Sequence, residues 1–116
     1  MKKIHFIAAG GTIDKIYFDA KSEYEVGSPQ VQAILQGGLV TFAFEIESVL
    51  RKDSLDMTDG DRQTVRQRVE ACACERVVVT HGTDTMVQTA RALAGIPGKT
   101  IVLTGAMQPA RFRETD

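Results

Sequence analysis

Excess charge of either sign is missing from this sequence: fourteen lysines and arginines face fifteen aspartates and glutamates, for a formal net charge of -1. Such a balance supplies no long-range field toward nucleic acid or an anionic membrane surface. Long hydrophobic runs are missing too. Two lysines precede the apolar stretch that starts at Ile4, but that stretch is only about six residues long, short of a secretory h-region, and no later run approaches a membrane span. Cysteine is scarce, with Cys72 and Cys74 the whole complement. Separated by one residue on an expected helix, they turn to different faces, which argues against pairing or shared metal ligation and for buried thiols in a reducing cytoplasm. Internal repeats, low-complexity segments and interdomain linkers are also absent.

What is present fits one soluble domain. With 116 residues, 43% hydrophobic and 25% charged, the chain can bury roughly two thirds of its unfolded surface. Arg62, Arg66 and Arg68 alternate with Asp59, Asp61 and Glu70, a pattern expected of a solvated helix face.

Ile4–Ala9 reads as a short buried strand that ends in Gly10-Gly11-Thr12, where a glycine pair permits backbone geometry closed to other residues. Residues 13–27 show no sustained period and read as a loop. Ser28-Pro29 form an N-cap with proline at the first helical position, and Val31, Ile34 and Leu35 supply an apolar face until Gly37-Gly38. In residues 41–47, Phe42, Phe44 and Ile46 alternate with Ala43, Glu45 and Glu47, as in a half-exposed edge strand.

Thr58 with Asp61 resembles a capping box, and Val65, Val69 and Cys72 follow at helical spacing, giving a helix of about fifteen residues. Val77-Val78-Val79 and Ile101-Val102-Leu103 are uninterrupted apolar runs, expected of central parallel strands covered on both faces. Between them, Met86, Val87, Ala90, Leu93 and Ala94 mark another amphipathic helix. Strands and helices therefore alternate, which predicts an α/β fold: an open parallel sheet, Rossmann-like or flavodoxin-like, with helices on both faces and right-handed crossovers.

In such sheets ligands bind outside the carboxyl ends of the strands. The segments expected there are Gly10-Gly11-Thr12, Asp53-Ser54-Leu55-Asp56, His81-Gly82-Thr83-Asp84-Thr85 and Thr104-Gly105-Ala106-Met107. Taken singly, each has an ordinary explanation: a tight turn at Gly10-Gly11, a helix cap at Asp84. The chain lacks Gly-x-Gly-x-x-Gly and Gly-Lys-Ser/Thr, which leaves a nucleotide little support. Neither His5 nor His81 has a metal-ligand partner at a telling spacing; His5 reads as a packed core histidine and His81 as a loop brace. Threonine hydroxyls beside a carboxylate suit attack on a carbonyl, provided that something activates the hydroxyl.

These residues resemble the bacterial-type L-asparaginases and related glutaminases. "AAGGTID" at 8–14 and "VVVTHGTDTM" at 77–86 are similar to the family's two threonine motifs. "SEYEVG" at 22–27 resembles its mobile active-site loop, "DSLDM" at 53–57 its substrate-binding serine segment and "IVLTGAMQP" at 101–109 the following strand and turn. The resemblance implies a catalytic N-terminal domain spanning residues 1–116, most like the short single-domain members and ended early at its C-terminus. It implies Thr12 as nucleophile, with Tyr24 closing over it and Thr83 as the second catalytic threonine. Asp84 would bind the substrate's α-ammonium and Ser54 its α-carboxylate, with backbone at Gly11, Gly82 and Ala106 orienting the amide. The family's catalytic lysine comes after the matched segment, and Leu55 stands where a polar residue is usual.

The implied reaction is hydrolysis of the side-chain amide of asparagine, or a similar small amide, without cofactor or metal. The expected setting is a cytoplasmic homo-oligomer, a dimer or tetramer, because a four-strand sheet ending near residue 116 leaves an apolar face exposed. Two other readings stay open: a non-catalytic amino-acid-binding module of the same fold, and a flavodoxin-like nucleotide or phosphate binder.

Overall fold

The structure is a computed structural model that describes residues 3–11, 15–18, 23–26, 31–38, 42–52 and 54–106. In chain order its elements are β1 (Ile4–Gly10), β2 (Lys15–Phe18), β3 (Glu23–Val26), α1 (Val31–Gly37), β4 (Phe44–Lys52), a 3-10 turn (Ser54–Asp56), α2 (Asp59–Ala71), β5 (Arg76–Thr80), α3 (Met86–Ala92) and β6 (Thr100–Thr104). The large sheet has the order β4-β1-β5-β6, and every neighbouring pair is parallel. This is the expected α/β architecture. Counted within that sheet alone the order is 2-1-3-4, the flavodoxin-like arrangement. α2 packs on α3, β4 and β1.

The main core lies beneath α2. Val65 and Val69 from that helix meet Ile7 and Ala9 of β1, Val77 and Val79 of β5 and Leu93, all buried. Thr58 caps the helix as its spacing predicts: the Asp61 N–H donates to Thr58 Oγ1 at 3.1 Å, and the Thr58 N–H donates to the Asp61 carboxylate at 3.0 Å. On the opposite face Phe6 and Ala8 are buried, and the Phe6 and Phe44 rings meet edge to face at 6.2 Å.

Several expectations need correction. Residues 13–27 are not simply loop, because β2 and β3 pair antiparallel from Lys15↔Val26 to Phe18↔Glu23. At four residues each, the two strands are too short for a period to stand out. The strand expected at 41–47 instead runs Phe44–Lys52, still on the sheet edge, and its later residues Val49 and Leu50 pack against the core. β5 is central as its valine run predicts. β6 is not: it has one neighbour among the described strands, and Val102 is 53% exposed.

The helix faces also differ from expectation. On α3 the fully buried residue is Thr89, while Val87 is 62% exposed and Leu93 is buried just past the helix end. On α1 only Val31 is buried, Ile34 is exposed, and the Ser28-Pro29 cap lies outside the described residues. Cys72 is the C-cap of α2, Cys74 lies beyond the helix, and both thiols are free and half-buried. Arg62 departs most from a solvated face, being buried at 8% exposure. Arg66 donates to the Ala92 and Ala94 carbonyls at 2.8 Å each, satisfying the C-terminal end of α3. Arg68 alone of the three is exposed, paired with Glu47. Among the described residues no helix is long and apolar enough to cross a membrane.

Candidate active site

The chain leaves β1 toward β4 on one side, then returns across β1 to reach β5 on the other. At such a reversal the loops after the two central strands diverge and open a crevice, here between the carboxyl ends of β1 and β5. Two glycines let those ends approach. A Cβ placed on Gly11 would lie 2.4 Å from the Gly82 nitrogen and 2.7 Å from its Cα, and Gly11 has φ +93°. Both space and backbone angle therefore require glycine there. Gly105, after β6, is as tight, since a Cβ would sit 2.3 Å from the His81 carbonyl oxygen. Backbone bonds close the rim: the Gly11 N–H donates to Lys52 O at 3.0 Å and the His81 N–H to Thr104 O at 2.8 Å.

His81 is fully buried, and its bonds have one consistent direction. The Gly82 carbonyl, 2.6 Å from Nδ1, can only accept, so Nδ1 carries the proton. Nε2 then accepts from Thr89 Oγ1 at 2.7 Å, and that hydroxyl accepts from Arg62 Nε at 3.2 Å. The imidazole is neutral in this relay. Burial pushes the His81 pKa below its ordinary value, the Gly82 carbonyl works in the opposite sense, and the nearby Arg62 charge adds to the lowering. With both nitrogens engaged, His81 braces the "HGTDT" turn, as its sequence position suggests. Thr89 and Arg62 are the residues that sequence reasoning missed. The signal was there: Thr89 falls on the stripe with Met86 and Leu93, and Arg62 on the stripe with Val65 and Val69.

The expected site residues distribute unevenly. Thr83 and Asp84 are exposed in the turn between β5 and α3. Thr85 rather than Asp84 stands at the N-cap of α3, and its side chain makes no capping bond. Gly11 and Gly82 are in contact, and Ala106 is buried just after β6. Because the Gly11 N–H is committed to Lys52, Gly11 contributes shape rather than a donor. Thr12 lies outside the described residues, as do the side chains of Tyr24 on β3 and Ser54 at the start of the 3-10 turn. Leu55, next to Ser54, is 72% exposed. Thr80 adds a buried hydroxyl at the end of β5 that has no hydrogen-bond partner among the described residues.

Residues 3–116 match the family model described as Asparaginase, N-terminal. The chain belongs to the asparaginase family. This asparaginase-family domain is 28% identical to the thermostable L-asparaginase from Thermococcus kodakarensis, with a TM-score of 0.82, covering 98% of this chain and 37% of that one. It is likewise 28% identical to L-asparaginase I from Vibrio cholerae, with a TM-score of 0.82 and coverage of 99% and 37%. Among curated relatives, a glutamyl-tRNA(Gln) amidotransferase subunit from Pyrobaculum aerophilum is 35% identical over 99% of this chain and 29% of that protein. Its counterpart from Thermoplasma acidophilum is 32% identical over 80% and 24%. The chain thus spans less than a third of these curated relatives.

Proposed function

We propose that this asparaginase-family domain hydrolyses the side-chain amide of asparagine, or of a similar small amino-acid amide, to the acid and ammonia. The observation that carries this reading is the Gly11–Gly82 contact, which brings the chain neighbours of Thr12 and Thr83 together at the switch point of the sheet. In the proposed reaction Thr12 Oγ bonds to the amide carbon, ammonia departs, and water then cleaves the ester to release the acid. Thr83 is the second catalytic threonine, and Tyr24 closes over the nucleophile. Asp84 takes the α-ammonium, Ser54 takes the α-carboxylate, and backbone near Gly82 and Ala106 orients the amide and its developing oxyanion. Gly11 keeps the crevice narrow. The setting proposed for it is a cytoplasmic homo-oligomer.

The names of the curated relatives favour a second reading, in which the same amide hydrolysis serves an amidotransferase complex. Comparing ammonia release from asparagine and glutamine weighs the two: preference for asparagine disfavours the amidotransferase reading, whereas preference for glutamine fits both. In the same assay Thr12→Ala and Thr83→Ala should each lower turnover by about a thousandfold or more with folding intact. Asp84→Ala should lower kcat/KM by about 10- to 100-fold, the worth of a hydrogen bond to a charged group. Unchanged turnover in both threonine variants excludes the mechanism. Calorimetric binding of asparagine that Asp84→Ala abolishes, without ammonia from any amide, would instead identify a binding module.

A further inference from the structure

We propose that the opposite, N-terminal rim of the parallel sheet holds a divalent-cation site of zinc type, formed by His5, Glu45 and Cys74. The three come from separate segments. His5 on β1 is in direct register with Glu45 on β4, and Cys74 precedes β5, which pairs with the other edge of β1. One ligand atom from each lies within 4.8 Å of the other two. Tetrahedral zinc, with bonds of about 2.0–2.3 Å, places its ligands about 3.2–3.7 Å apart. Closing the triangle therefore requires shifts on the order of 1 Å, within reach of small side-chain rotations.

His5 reaches a carboxylate with each ring nitrogen. Its Nε2 lies 3.0 Å from Glu47 Oε1, and a carboxylate can only accept, so that nitrogen carries the proton. Its other nitrogen, Nδ1, lies 3.3 Å from Glu45 Oε2 in a second imidazole–carboxylate contact. A divalent cation that took the place of the proton in that contact would be bound by both atoms. A carboxylate on the far nitrogen of a histidine is the usual outer support of a metal-bound imidazole. The outer oxygen of Glu45 is held by Lys3 Nζ at 2.7 Å, and Glu47 is held by Arg68, so both carboxylates are oriented from outside.

Cys74 also borders a cavity of about 240 Å³ together with Lys3, Ala73, Glu75 and Arg76, which provides an entry path and room for water as fourth ligand. The turn that carries Cys74 is fixed by Lys99 Nζ, which donates to the Cys72 and Cys74 carbonyls. An imidazole, a thiolate and a carboxylate together suit zinc or cobalt and disfavour magnesium and calcium, which take oxygen ligands. At the end of the sheet away from Thr83 and Asp84, the ion would staple β4, β1 and the turn before β5.

Titration of the intact chain with Co²⁺ alone tests this directly. A sulfur-to-cobalt charge-transfer band should saturate at one equivalent, vanish in Cys74→Ser and persist in Cys72→Ser. Glu45→Gln should weaken Co²⁺ binding at least about tenfold, the scale of one lost ligand. Zn²⁺ should displace the band and raise Tm in the unaltered chain but not in Cys74→Ser. Because His5 is buried and its loss could unfold the chain, the decision rests on the two accessible positions, Cys74 and Glu45. Absence of the band at saturating Co²⁺, or an undiminished band in Cys74→Ser, overturns the site and leaves His5 as the centre of an ion-pair cluster.

Discussion

At the carboxyl rim of the parallel sheet Gly11 and Gly82 touch through backbone, where any side chain would collide, whereas at the amino rim Lys3, His5, Glu45, Glu47 and Arg68 meet through their polar ends. The first rim is specified by space. Its side chains His81, Thr89 and Arg62 are buried and hold the turn before Thr83 and Asp84 in one position. The second rim is specified by charge, on side chains that can rearrange while the backbone stays in place. Steric conflict falls off steeply with distance and cannot be screened, but exposed ion pairs trade with water and salt. The two ends should therefore respond very differently to substitution.

The largest effect belongs to Gly11→Ala. The new Cβ must displace the Gly82 nitrogen from 2.4 Å, on a residue held at φ +93°. Left-handed strain costs about 1–3 kcal/mol and overpacking about another 1–3, so a loss of about 2–6 kcal/mol is expected in urea unfolding. Gly105→Ala meets the His81 carbonyl at 2.3 Å without the unfavourable φ and should cost about 1–3 kcal/mol. A Gly11→Ala protein with the unaltered unfolding midpoint would break the contrast, because the carboxyl rim would then be as yielding as the other.

How well each rim could be read from sequence follows the same division. The α/β alternation, the Thr58–Asp61 cap and the central position of the Val77–Val79 run were legible because each depends on local period or a fixed short spacing. The double glycine was visible, but its reason, contact with a glycine seventy-one positions later, is tertiary. Thr89 and Arg62 were hidden in plain view on apolar stripes, since a stripe tells that a position is buried and not which distant group it meets there. His5 read as a core histidine, and only strand register places it against Glu45, forty residues on. The β2–β3 ribbon lacked a clear signal because each strand is only four residues long. Of the expected site, Thr83 and Asp84 lie exposed in the turn after β5, and it was the motif rather than any local periodicity that singled them out.

An intermediate effect is expected for Thr89→Val, which keeps the volume and removes the hydroxyl. Arg62 Nε and His81 Nε2 then lose a shared partner in a buried setting, at a cost of about 1–3 kcal/mol. pH tests the same relay. The folded His81 has a pKa below 6.5, chiefly through burial, so the unfolded chain binds this proton first as pH falls. Stability from His81 is thus fully present above the unfolded value and is lost as pH falls from there toward the folded value. Urea midpoints at pH 7.5 and 5.5 should show that decline. A histidine contribution that instead grew on acidification would mean that the ring is charged in the folded state, and the proton order of the relay would have to be reversed.

The smallest effect should come from Lys3→Met at the amino rim. Lys3 and Glu45 are paired at 2.7 Å but remain 45% and 52% exposed at their side chains, where water and salt replace most of what the pair provides. No measurable change in the urea midpoint is expected at neutral pH and moderate salt. The Glu45 titration should nevertheless move, because the hydrogen bond from Lys3 and the charge behind it are the main influences holding that carboxyl below its ordinary range. Carboxyl chemical shifts followed through the acid range would show it rising toward the ordinary value. A titration that moves without a change in stability would establish that this rim tunes protonation while contributing little to the fold. A midpoint drop as large as that of Thr89→Val would show position-dependent packing at both rims and erase the distinction.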